Sequence, residues 1–172
     1  SSLGTSPKAP WRTIAKVNAA SFSAGDTIYF ARGETWRETL TVPSSGDATG
    51  YVTFDAYGSG ALPIISGADI KANSAFTADS GFAYSTAYSL ITNGSMMVWE
   101  DGVRLTSRAS QALVRANPGS FYLTGSTLYV SARDGSNILT NGKVYEVPGR
   151  TVGVYTNGKD LTKIRFLHVV QT

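Results

Sequence analysis

The sequence predicts an all-β fold, and three observations carry that expectation. Apolar, β-rich runs recur at even spacing through residues 27–66, turns bearing glycine or proline separate them, and only 16% of residues are charged while 18 are glycine. At 172 residues the chain is long enough for a sizeable core, so stability requires neither disulfides nor a metal.

The stretch "APWRTIAKVNAAS" is the helix candidate. Pro10 suits a first turn, and Trp11, Ile14, Ala15 and Val17 or Asn18 are spaced for one apolar face. Gly25 and Asp26 then turn the chain into a strand over residues 27–30. The runs that follow centre near Ile28, Thr41, Thr53 and Ile65, about a dozen positions apart, with "PSSGDATG" and "YGSGALP" as turns. Such spacing fits either a meandering antiparallel sheet or two strands per turn of a parallel solenoid. On the second reading a coil takes roughly 25 residues, and "TIYFARG" and "VTFDAYG" lie one coil apart, from Ile28 to Thr53, each closing on a glycine, Gly33 and Gly58.

Beyond residue 73 the texture changes to hairpins. "MMVWEDGVRLTS" sets Asp101-Gly102 between two strand-like runs, and Gly125-Ser126 does the same between "FYL" and "LYV". The earlier spacing returns with runs near Val154 and Phe166. The expected organisation is a cap and first repeats over 1–72, an inserted antiparallel, sandwich-like β-module over 73–147, and a return to the repeating body over 148–172.

Composition narrows the function classes. Without cysteine there is no disulfide and no thiolate metal site, and a lone histidine excludes a multi-histidine centre. The net charge of +3 is spread from Lys8 to Arg165 without a cluster, so nucleic acid is not an expected partner. No apolar stretch approaches the roughly 20 residues of a membrane helix, and no membrane partner is expected. The chain begins without methionine or a leader-like segment, so a processed protein or a piece of a longer chain is expected.

Two chemistries have candidate residues. For acid–base work, Glu34 and Glu38 converge if their loop folds tightly, and otherwise read as charges on a solvated corner. Glu100-Asp101 reads as the exposed turn before Gly102. His168, in "RFLHVV", shares a strand face with Ile164, Phe166 and Val170 and is an acid–base candidate by residue type. Sugar recognition needs a flat aromatic against the apolar face of a pyranose, with hydrogen-bonding groups at its rim. Trp99, Tyr122 and Tyr129 in the insert and Trp36 on the first corner are the candidates. Val98 is the natural core residue, so strand alternation turns Trp99 outward.

The segment "GTSPKAPWRTIAKVNAASFSAGDTIYFARGETWRETLTVPSSG", with "VTFDAYGSGALPIISG" after it, resembles the amino-terminal cap and first coils of right-handed parallel β-helix proteins of the pectin-lyase-like superfamily over residues 4–67. "WEDGVRLTS", "PGSFYL" and "LYVSARDG" look like the β-rich insert of bacterial members that act on polysaccharides, and "GRTVGVYTNGKDLTKIRFLHV" looks like re-entry into the coil. The resemblance implies the start of a right-handed parallel β-helix closed by a short capping helix, a polysaccharide or oligosaccharide partner, and a secreted or cell-surface setting. Lyase members hold calcium on acidic residues of neighbouring coils, and hydrolase members use two carboxylates about 5 to 10 Å apart. Among the 12 acidic residues there is no Asp-Asp pair and no D-x-D, so no cofactor is expected unless the chain is a calcium-using lyase.

The first expectation for function is a non-catalytic, carbohydrate-binding amino-terminal portion of a polysaccharide-degrading β-helix protein, with the insert doing the recognition and Trp99 as its foremost candidate. The second is a lyase or glycoside hydrolase using Glu34, Glu38 or His168, and the third is a phage-type tail-spike or structural surface solenoid. The apolar end "IRFLHVVQT" has no polar cap, so further strands or self-association through that strand is expected.

Overall fold

The computed structural model describes residues 4–91 and 96–170. The chain divides into two compact units, Ser1–Gly67 with Val152–Thr172 forming the first and Ala68–Thr151 the second.

The first unit begins with helix α1, Ile14–Asn18. The Thr13 hydroxyl caps it by accepting from the Lys16 N–H, and Ile14 and Val17, one turn apart, are its buried residues. Five strands follow: β1 Thr27–Ala31, β2 Thr35–Trp36, β3 Leu40–Thr41, β4 Val52–Tyr57 and β5 Ile64–Ser66. β1 pairs with β4 and β2 with β5, both in parallel. Ile28 lies opposite Phe54, one position beyond the Thr53 that the sequence spacing suggested. Side chains alternate along a strand, so the expected register would have turned one strand's apolar set outward. The observed register stacks Ile28 on Phe54, beside buried Phe30 and Val52. α1 and these strands share one core, centred on Ile14, Phe30, Leu40, Val52, Phe54 and Ile65.

The second unit contains β6 Ala68–Lys71, β7 Thr77–Ala78, β8 Ala83–Ala87, β9 Trp99–Glu100, β10 Val103–Arg104, β11 Thr106–Ser107, helix α2 Gln111–Ala116, β12 Ser120–Thr124, β13 Thr127–Ser131 and β14 Tyr145–Pro148. One sheet runs β10-β9-β14-β6 and is antiparallel throughout. The other runs β11-β12-β13-β8-β7 and is antiparallel apart from the β11–β12 pair. Both hairpins expected from the sequence form, with Glu100 opposite Val103 around Asp101-Gly102 and Thr124 opposite Thr127 around Gly125-Ser126. Asp101 at φ 50° and Gly102 at φ 76° supply the two left-handed residues that a tight two-residue hairpin demands. Val98, just before β9, and Tyr145 and Val147 of β14 meet Phe121, Leu128 and Val130 from the second sheet in one core.

The chain then returns to the first unit through β15 Val154–Tyr155, β16 Thr162–Ile164 and β17 His168–Val170. These pair in parallel with β3, β4 and β5. β16 and β17 are edge strands, and Ile164, Phe166 and Val169 in this segment are exposed.

The expected right-handed parallel β-helix of pectin-lyase-like type is corrected by this topology. The described residues form five separate small sheets of two to five strands, and none closes or continues as a solenoid. The parallel ladders end after two or three strands, while β6 to β14 pair in antiparallel or mixed sheets. The all-β class stands, with two short α-helices and one 3-10 turn, Asn73–Ala75, among the described residues.

Candidate functional site

The first unit carries an open cleft of about 1210 Å³. Its floor comes from β1, where Ile28 and Phe30 turn toward the core, and from Val17 of α1. Trp11, Tyr29, Trp36 and Tyr57 supply aromatic walls, and Asp26, Glu34 and Arg12 supply charge. Pockets for drug-sized ligands run to roughly 300–1,000 Å³, so the space suits a ligand of more than one ring.

Local structure positions each of these groups. β1 is the edge of its sheet, and alternation turns Tyr29 away from Ile28 and Phe30, leaving it 58% exposed. Trp36 meets Phe30 edge to face at 5.2 Å, and its indole N–H donates to the Arg12 carbonyl at 3.2 Å. The ring is therefore held in one orientation beside the cleft. The exposed Glu34 carboxylate has no partner among the described residues, whereas Asp26 accepts from the Ser23 N–H at 2.8 Å.

The sequence candidates separate on inspection. Glu34 and Trp36 line the cleft, but Glu38 does not. Its carboxylate accepts from the Ala15 N–H at 2.7 Å, in the first turn of α1, where a negative charge complements unpaired helix amides. The two glutamates thus serve different partners. His168 opens β17 on an exposed edge opposite Ile64, far in sequence from any cleft residue, and it is not among those lining the cleft.

Trp99 is not turned outward. Val98 joins the second unit's core and Trp99 does not, so alternation places them on opposite faces as expected, yet Trp99 is only 9% exposed. The sheet is covered on both sides here: all four residues of β14 beside it are buried as well. Tyr122 and Tyr129 sit directly opposite each other across the β12–β13 hairpin and are half-buried. Helix α2 contacts β8, β12 and β13.

Glu100 corrects the reading of Glu100-Asp101 as an exposed turn. Asp101 is exposed, but Glu100 is 2% exposed and ties several groups together. It accepts from the Lys143 ammonium at 2.9 Å, the Arg133 N–H at 2.8 Å and the Tyr145 hydroxyl at 3.2 Å, while Lys143 also reaches Asp134 at 2.8 Å. The Asp134 and Glu100 carboxylates raise the Lys143 pKa, and burial raises that of the Tyr145 hydroxyl. Every member has a structural partner, which fits a stabilising network. Among the described residues no group of three or more His, Asp or Glu side chains is arranged to hold a metal ion. No described helix is long and apolar enough to cross a membrane.

A second ion pair gives a pH-dependent expectation. The Arg115 guanidinium donates to Asp79 at 2.7 and 2.9 Å and, with help from Gln111, lowers its pKa from 3.8 to about 2. A lowered folded-state value stabilises the fold above the ordinary carboxylate range, and that stabilisation fades as pH falls from about 4 toward 2. In Arg115→Gln the Asp79 pKa should move back toward 3.8, read from its carboxyl carbon shift in an NMR titration.

Sequence reasoning missed Trp11, Tyr29 and Tyr57. Tyr29 was within reach of the alternation argument, since it sits between Ile28 and Phe30 in one strand. Trp11 and Tyr57 were not, because only the folded chain brings them beside β1.

No protein-family model matches the chain, and no curated protein matches it. Among solved structures it is similar to the complex structure of XylC with xylose, with a TM-score of 0.73 and 17% sequence identity, covering 95% of this chain and 32% of that one. The chain therefore spans about a third of that protein's length. The fold likeness is to XylC, and nothing in it carries the pectin-lyase-like assignment expected from residues 4–67.

Proposed function

We propose that this chain is a carbohydrate-binding portion of a polysaccharide-degrading protein, that it takes an oligosaccharide or polysaccharide in the first unit's cleft, and that it does not itself turn the sugar over. The observation that carries this reading is the aromatic cleft itself, lined by Trp11, Tyr29 and Trp36 with Tyr29 exposed, together with a Glu34 carboxylate that has no partner among the described residues. Pyranose rings present apolar faces to such walls and hydroxyls to such rims. Similarity in fold to a protein solved with xylose supports the same class of ligand. A polysaccharide ligand fits a secreted or cell-surface setting.

The test is native affinity electrophoresis in gels containing xylan, followed by titration with xylohexaose. The wild-type chain should be retarded, and Tyr29→Ala should weaken binding about tenfold, or about 1.4 kcal/mol, as expected for truncating an aromatic anchor. Tyr29 is exposed, so its loss should change stability by no more than about 0.5 kcal/mol. An unchanged affinity in Tyr29→Ala would move the site elsewhere. Reducing or unsaturated sugar ends released by the purified chain would overturn the non-catalytic part.

A further inference from the structure

The charges around the cleft run against those of the chain. The whole sequence carries +3, yet the charged residues lining the cleft are Asp26 and Glu34 against Arg12 alone. The two carboxylates are not equivalent. Asp26 is engaged by the Ser23 N–H, while Glu34 is exposed and has no partner among the described residues. A carboxylate in that state accepts hydrogen bonds from sugar hydroxyls, and it repels a second carboxylate brought to the same place.

We infer that the cleft selects uncharged glycan chains and turns away chains bearing uronate groups. The inference rests on the sugar-binding reading above and adds the class of sugar. One like-charge contact at about 4 Å in water lowers affinity about fivefold. Salt weakens the effect, because the screening length falls from about 10 Å at 0.1 M to about 3 Å at 1 M. Long-range attraction of acidic glycans to the positive chain works the other way, but those charges are spread from Lys8 to Arg165, and in the cleft itself Arg12 is outnumbered by Asp26 and Glu34, so the short-range contact decides the preference.

Three probes separate charge from shape: xylohexaose, the same oligosaccharide bearing a glucuronate branch, and that branched compound with its carboxyl reduced to an alcohol. Calorimetric titration of the intact chain at low salt should show the reduced form binding about fivefold more tightly than the glucuronate form. Both 1 M NaCl and Glu34→Gln should bring that ratio close to one. Equal affinity of the two branched probes at low salt, or a ratio that Glu34→Gln leaves unmoved, would overturn the inference. So would rejection of both branched probes while xylohexaose binds, since exclusion would then be steric. If none of the three binds, the sugar-binding reading falls as well, which distinguishes the two failures.

Discussion

Phe54→Ala should lower the unfolding free energy by about 3–5 kcal/mol, the usual cost of removing a buried phenyl ring and leaving a cavity. Phe54 is fully buried in the middle of β4, the central strand of its sheet, with Ile28 beside it on β1 and Ile164 on β16. Its ring belongs to the core that α1, β3 and β5 also enter, so little of the surroundings is free to close over the gap. Urea denaturation followed by tryptophan fluorescence is suited to this unit, since Trp11 and Trp36 both pack against its core. A loss under about 1 kcal/mol would mean that the register placing Phe54 inward is wrong. The exposed Tyr29→Ala serves as the matched control.

Glu100→Ala should cost a similar amount, about 3–5 kcal/mol, for a different reason. The substitution leaves the buried Tyr145 hydroxyl and the Arg133 N–H without their acceptor, and the Lys143 ammonium with Asp134 alone. Unmet donors in a buried site lose their hydration without replacement. Glu100→Gln should lose less, because an amide oxygen in place of Oε2 still accepts from Arg133 and Tyr145. Differential denaturation of the two variants checks this order. Equal stability of the wild type and Glu100→Ala would return Glu100 to the exposed-turn reading.

The two variants also mark how far the sequence could be read. Phe54 was legible as a strand residue in "VTFDAYG", but its face was not, because a single step of register decides it and only long-range pairing sets that step. Glu100 was read as a turn because Asp101-Gly102 follows it. The turn is real, and the burial comes with Lys143, far along the chain. Trp99 shows the same limit: alternation sorted it correctly from Val98, but a residue facing away from one core is exposed only if nothing covers its own side. At the cleft, Trp36 and Glu34 were singled out from sequence, whereas Glu38 was drawn off to the first turn of α1.

By itself the sequence determined what depends on neighbours a few residues apart. The all-β character, the short helix after Pro10 and the two hairpin turns follow from alternation, apolar spacing and the left-handed conformations that Asp101, Gly102 and Gly125 adopt. Tertiary structure decided the rest: the division into small sheets in place of one continuous solenoid, the covering of both faces around Trp99, and the bringing of Trp11, Tyr29, Glu34 and Trp36 to the lining of one cleft. Each of these depends on pairing between distant segments. Apolar alternation makes a strand able to pair without naming the partner, the direction or the register that it will take.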